Sequence, residues 1–141
     1  MTTSISEIRK DFPLLMSNDV IYLDTAATSQ KPSCVLEAER TFYEKYNANP
    51  LRGLYELGEA ATEKYEEARE AVREFLNARE AAEIVFVRNA TEGLNLVAYS
   101  LSSLVLKPGD EILVSIMEHH SNLLPWQQAA ARTGAVVKYL E

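Results

Sequence analysis

The sequence has one cysteine, Cys34, so it forms no internal disulfide and suits a reducing compartment. It has only two histidines, His119 and His120, side by side. It has no apolar run long enough to cross a bilayer. Its first residues, "MTTSISEIRKDFPLL", scatter charges and lack the apolar core of a secretory signal. Basic residues are in deficit, with 14 Lys and Arg against 21 Asp and Glu and a net charge of −7. That balance excludes a clustered basic footprint for nucleic acid. No Gly-x-x-x-x-Gly-Lys pattern marks a phosphate loop of the nucleotide-triphosphatase kind. There is no internal repeat and no low-complexity tract. A cytoplasmic protein without membrane or nucleic-acid partners is the expectation.

The 141 residues suffice for one domain with its own core and are short for two. Ile5 to Leu15 has helical spacing and meets Pro13, which predicts a short helix stopped there. Val20 to Asp24 is β-rich, and Thr25 to Pro32 is a loop of small residues. Ser33 is placed to cap a helix running to about Tyr46. Asn47 to Gly53 is loop by composition. A long helix is predicted from Leu57 to Leu76, with Ala61, Tyr65, Ala68, Val72, Phe75 and Leu76 facing inward. Its charged face, "EKYEEAREAVRE", alternates sign at helical spacing and reads as a solvated surface.

The pattern then changes to strand, helix, strand, helix, strand. The strands are Glu83–Val87, Glu111–Ile116 and Ala135–Leu140, and the helices are Thr91–Leu101 and Asn122–Thr133. Gly134 is suited to closing the second helix. Apolar strands alternating with helices predict an α/β fold, with a parallel or mixed sheet and helices on both faces. Three strands are few for such a sheet, so the chain reads as the leading part of a larger fold.

Ligands of open α/β sheets bind beyond the carboxyl ends of the strands. Two loops qualify, "RNATEG" at Arg88–Gly93 and "MEHHSN" at Met117–Asn122. The first puts Ala90, Thr91 and Glu92 in the opening turn of a helix, where free amides and the helix dipole favour an anion. Its ordinary alternative is a plain helix start capped by Thr91. In the second, neighbouring histidines leaving a strand are expected to point in nearly opposite directions. Helical metal pairs need three- or four-residue spacing, so zinc fits poorly. One histidine facing the crevice and one serving the scaffold is the better division, with two structural histidines as the plain alternative. Cys34 reads as idle or buried, Arg52 as a carboxylate ligand or a solvated charge, and Pro125 and Trp126 as packing.

"YLDTAATSQKP", "NANPLRG", "EIVFVRNATEGLNLVAYSL" and "LKPGDEILVSIMEHHSNLLPWQQAAARTGA" follow one another in an order that resembles the N-terminal part of the class V aminotransferase family. The resemblance runs from about Ile8 onward and is nearest the SufS-type (group II) cysteine desulfurases. It implies fold-type I and the cofactor pyridoxal 5'-phosphate (PLP). Residues 1–18 would form an N-terminal helical arm, and residues 19–141 the first part of the PLP-binding large domain. The resemblance also implies site roles. The backbone of Ala90 and Thr91, with the Thr91 hydroxyl, would hold the cofactor phosphate. His119 would stack on the pyridine ring and shuttle protons. Ala26 and Ala27 would face the substrate carboxylate, and Arg52 would stand at the active-site entrance. Leu51 replaces the family's histidine before that arginine, and Asn89 and Ala90 replace its Gly-Thr.

The reaction so implied converts L-cysteine to L-alanine, with the sulfur kept as an enzyme persulfide. Implied partners are a sulfur-acceptor protein of Fe–S cluster assembly and a second copy in a homodimer. The family also needs a lysine for the cofactor, an acid for its ring nitrogen, an arginine for the substrate carboxylate and a cysteine for the persulfide. Lys10, Lys31, Lys45, Lys64, Lys107 and Lys138 match none of the lysine motifs, and Cys34 is misplaced for the persulfide. The expectation is a leading fragment, from truncation, proteolysis or a split gene, that is inactive alone. A selenocysteine lyase, a transaminase and a non-catalytic scaffold are the other readings.

Overall fold

The computed structural model describes residues 4–51 and 53–140. The chain forms two compact units, Met1–Ile84 and Val85–Glu141.

In the first unit, α1 (Ile5–Lys10) is capped by the Ser4 hydroxyl, which accepts from the Glu7 amide at 3.3 Å. Pro13 does not end this helix; it opens a second, α2 (Pro13–Ser17). Proline has no N–H to lose in a first turn and forces the residue before it, Phe12, into extended geometry. The Val20–Asp24 run has no strand pairing among the described residues. Its start is held by Arg9, whose guanidinium donates to the Val20 carbonyl at 2.9 Å and the Leu15 carbonyl at 3.3 Å.

Helix α3 (Ser33–Lys45) does not use Ser33 as its cap. Ser33 is the first helical residue, and both its amide and its hydroxyl donate to the Asp11 carbonyl, at 2.7 and 3.2 Å. The serine therefore fastens α3 to the end of α1.

Helix α4 (Glu56–Leu76) carries the charged face the sequence predicts. Lys64–Glu67, Arg69–Glu66 and Arg73–Glu70 pair at 2.7, 2.9 and 2.7 Å, each three residues apart, with the carboxylates exposed and Arg69 and Arg73 half-buried. Asn77 ends the helix at φ 54°, a left-handed value that asparagine tolerates. The predicted inward stripe holds only in part. Ala61 is fully buried and Tyr65 and Val72 are half-buried, but Ala68 is exposed, Phe75 is 88% exposed and Leu76 is 61% exposed. The 3₁₀ turn Ala81–Glu83, which packs against α4, is too short to cover a helix about 30 Å long.

The loop before α4 is locked onto it. Leu51 sits at φ 70°, and its amide donates to the Thr62 hydroxyl at 2.9 Å. That hydroxyl donates in turn to the Gly58 carbonyl at 2.7 Å. Gly53 and Gly58 approach so closely that a Cβ on either would lie 2.8 Å from the other's Cα.

In the second unit, β1 (Glu111–Ser115) and β2 (Val136–Leu140) pair in parallel, Glu111 opposite Val136 and Ser115 opposite Leu140. The crossover between them is α7 (Leu124–Thr133), preceded by a separate 3₁₀ turn, His120–Asn122, so the predicted helix starts two residues late. Helices α5 (Ala90–Ser100) and α6 (Ser102–Val105) pack against α7. Arg132 ties α7 to α5, donating to the Ala98 carbonyl at 3.3 Å with its guanidinium over the Tyr99 ring. Ser102, the buried polar residue of this unit, donates its hydroxyl to the same carbonyl. Gly134 closes α7 at φ 78°, and its carbonyl accepts from the Gly109 amide at 2.9 Å.

The predicted strand Glu83–Val87 is not one here. Glu83 closes the 3₁₀ turn, and Ile84–Val87 is irregular, with no ladder partner among the described residues. The sheet therefore has two strands. Its buried apolar side chains in this unit, Ala98, Val114, Ala129, Ala130 and Ala135, are small. Leu113, on the opposite face of β1 from Val114, is 60% exposed. Among the described residues, no helix is long and apolar enough to cross a membrane.

Candidate active site

The opening turn of α5 is built by a capping pair. Asn89 stands just outside the helix with extended backbone, and its side-chain oxygen accepts from the Glu92 amide at 2.9 Å. Glu92 reaches back and accepts from the Arg88 amide at 2.7 Å and from Arg88 Nε at 3.3 Å. The cap is thus Asn89 and not Thr91, which lies inside the helix. The Asn-x-x-Glu spacing was the signal available for it.

This cap divides the donors of the first turn. The Glu92 and Gly93 amides are taken, by the side chain and the carbonyl of Asn89. The Ala90 and Thr91 amides and the Thr91 hydroxyl have no partner among the described residues. All three belong to exposed residues beside an open depression of about 660 Å³ lined by Arg88, Asn89, Thr91 and Asn95. Two neighbouring amides, a hydroxyl and the positive end of a three-turn helix suit the oxygens of a phosphate monoester. No side chain bulkier than a methyl stands at Ala90 to hold such a group off.

His119 lies past the end of β1, on a bend fixed by Ser115, whose hydroxyl accepts from the Met117 amide at 3.0 Å. Its Nδ1 accepts from the Ser121 amide at 3.1 Å and lies 2.9 Å from the Ser121 hydroxyl. A backbone N–H can only donate, so Nδ1 carries the lone pair and the neutral ring bears its proton on Nε2. Asn122 braces the same bend, donating to Glu118 at 2.9 Å and accepting from Trp126 Nε1 at 2.9 Å. Trp126 therefore does more than fill space.

The two histidine rings do not point apart. Their centroids are 6.3 Å from each other and their planes are 84° apart. The strand has ended four residues earlier, so strand alternation no longer governs them. Both are exposed. The His120–Asn122 turn, which His119 precedes, packs against α5, the helix that Ala90 and Thr91 open.

The other sequence candidates belong to the first unit. Ala26 and Ala27 are exposed in a turn in which the Ala27 and Thr28 amides donate to the Asp24 carbonyl at 3.1 and 3.2 Å. Arg52 lies outside the described residues. Cys34 is exposed at the start of α3 and not buried. Sequence reasoning missed Asn89, Glu92 and Ser121. The first two were legible from spacing, whereas the Ser121 contact depends on a bend that no sequence pattern announces.

A family model described as aminotransferase class-V matches residues 21–141. A probable cysteine desulfurase of Synechocystis sp. is 53% identical over 138 residues, covering 95% of this chain and 33% of that protein. The solved apo cysteine desulfurase of Thermococcus onnurineus shares 45% identity and superposes with a TM-score of 0.90, over 100% of this chain and 34% of that one. A C-DES variant solved with glycine covalently linked to its PLP cofactor is 25% identical, with a TM-score of 0.69, over 93% of this chain and 32% of that one. The chain spans about a third of the length of the curated relatives it matches.

Proposed function

Because the chain belongs to the class V aminotransferase family, we propose that it supplies the N-terminal third of a PLP-dependent cysteine desulfurase of the SufS-type group. That enzyme takes L-cysteine to L-alanine and keeps the sulfur as a persulfide for an acceptor protein of Fe–S assembly. It works as a cytoplasmic homodimer. Residues 1–18 serve as an arm and 19–141 as the first part of the large domain.

The observation that carries this reading is the pair of unpartnered amides at Ala90 and Thr91, on a helix against which the turn following His119 packs. The fit to PLP is chemical: a phosphate cradle and a flat imidazole are supplied by adjacent elements. When bound, PLP supplies an electron sink for the substrate's Cα bonds. The Ala90 and Thr91 amides and the Thr91 hydroxyl would hold its phosphate. The Asn89 cap fixes the start of the helix on which those donors stand. His119 would help hold the cofactor ring, with Nε2 as its proton-bearing atom. Ala26 and Ala27 offer a backbone surface to the substrate carboxylate, and Arg52 adds charge at the entrance.

A chimera tests the proposal. This chain replaces the matching residues of the Synechocystis relative, and alanine and persulfide sulfur formed from cysteine are measured. Equal molar amounts of both are expected, and Thr91→Val should weaken PLP retention roughly tenfold through the lost hydroxyl contact. A folded, PLP-loaded chimera that makes no alanine from cysteine refutes the desulfurase reading. Activity confined to selenocysteine or to amino transfer would reassign the substrate within the family.

A further inference from the structure

Tyr22 lies in the extended run just ahead of the Ala26–Ala27 turn. Its phenol oxygen is 2.6 Å from the carbonyl oxygen of Thr28 and 3.0 Å from that of Asp24. A phenol has one hydrogen to donate, so that hydrogen is shared between the two ends of one turn. The Asp24 carbonyl already accepts from the Ala27 and Thr28 amides. Ala26 and Ala27 themselves bear only methyl groups and are exposed, so their side chains do nothing to fix the turn. Upstream, Arg9 pins the same run at the Val20 carbonyl. The Tyr22 ring is half-buried beside a cavity of about 440 Å³ lined also by Arg9, Phe12 and Thr25.

We propose that Tyr22 is a positioning residue, whose hydroxyl fixes the Ala26–Ala27 turn so that the Ala26 amide, which the turn does not use, meets the substrate carboxylate. The proposal rests on the reading of Ala26 and Ala27 given above, and adds the residue that holds them. Short peptide groups bind a carboxylate well only when their orientation is set before binding, because otherwise the ligand must order them. A hydroxyl tying both ends of the turn does that without touching the ligand. Its loss therefore acts on substrate affinity and leaves the chemical step alone.

Tyr22→Phe removes the hydroxyl and keeps the ring. Amide exchange of Ala27 and Thr28 is measured in the chain, with Ala61 in α4 as reference and Tyr43→Phe as a control hydroxyl. Cysteine kinetics are measured in the chimera. Exchange at Ala27 and Thr28 should rise about five- to tenfold with Ala61 unchanged, and KM should rise by a similar factor with kcat unchanged. Unchanged exchange, or equal acceleration at Ala61, overturns the proposal. So does a loosened turn with unchanged KM, or a fall in kcat alone. An inactive parent chimera counts against the desulfurase reading, and the exchange measurement still decides whether Tyr22 holds the turn.

Discussion

The side-chain oxygen of Asn89 takes the amide hydrogen of Glu92 at 2.9 Å, which removes Glu92 from the free donors at the start of α5. A helix start has four orphan amides. Here the Asn89 side chain satisfies the Glu92 amide, and those of Ala90 and Thr91 are left for a ligand. Capping and anion binding share the turn without competing.

Asn89→Ala should cost about 1 kcal/mol of stability, the usual loss for such a cap. Asn89→Asp keeps the acceptor and should be close to neutral in thermal unfolding. It also places a negative charge beside the Ala90 and Thr91 amides, so inorganic phosphate should bind more weakly to it than to the parent chain. Amide shifts of Ala90 and Thr91 on phosphate titration read the second effect, and thermal unfolding reads the first.

Gly134 and Gly109 both have positive φ, at 78° and 90°, but in different surroundings. A Cβ at Gly134 would lie 3.1 to 3.3 Å from three atoms of Pro108, whereas one at Gly109 would meet nothing within 4 Å. Gly109→Ala should therefore cost about 1 kcal/mol from backbone strain alone. Gly134→Ala should cost more, since Pro108 is rigid and stitched into the same turn. Equal costs in denaturant unfolding would show that Pro108 yields freely.

On α4, Arg73 donates to Glu70 at 2.7 Å. That hydrogen bond holds the Glu70 carboxyl below its ordinary range and pushes Arg73 up. A depressed carboxyl adds stability above its unfolded pKa and loses it as pH falls through its folded pKa. Thermal unfolding followed by circular dichroism should thus give a lower midpoint in acid than at neutral pH. Glu70→Gln should show a smaller acid loss. High salt should narrow the difference between the two proteins, because the pair is on the surface.

What could be read from sequence tracks how local the cause is. Helix α4 is predicted within a residue because charge alternation and apolar spacing are properties of the segment itself. The closure of α7 by Gly134 is local too, and so was the Asn89 cap, had Asn-x-x-Glu been weighed over Thr91. The errors arise where distant groups decide. Ser33 looks like a cap, yet donates to Asp11, 22 residues away. Ile84–Val87 has strand composition, but a strand also needs a neighbour, and composition does not supply one. The histidine rings depart from the opposite directions expected of a strand because the chain bends at Ser115 before reaching them. The relation of "RNATEG" and "EHHSN" to known enzymes was legible because their residue order is specific.

The parallel pairing of β1 with β2 also sets a timetable. Antiparallel neighbours can zip as a hairpin, but β1 must wait for the whole of α7 and then for Leu140 before its ladder is complete. At roughly 5 to 20 residues per second, translation leaves β1 without that partner for about one to five seconds. In that interval the opening turn of α5 is already synthesised, so the anion cradle can form before the sheet beneath it. A ribosome pause between Ser115 and Val136 would lengthen the time an apolar edge stands open, making codon speed across α7 a determinant of how cleanly this chain matures.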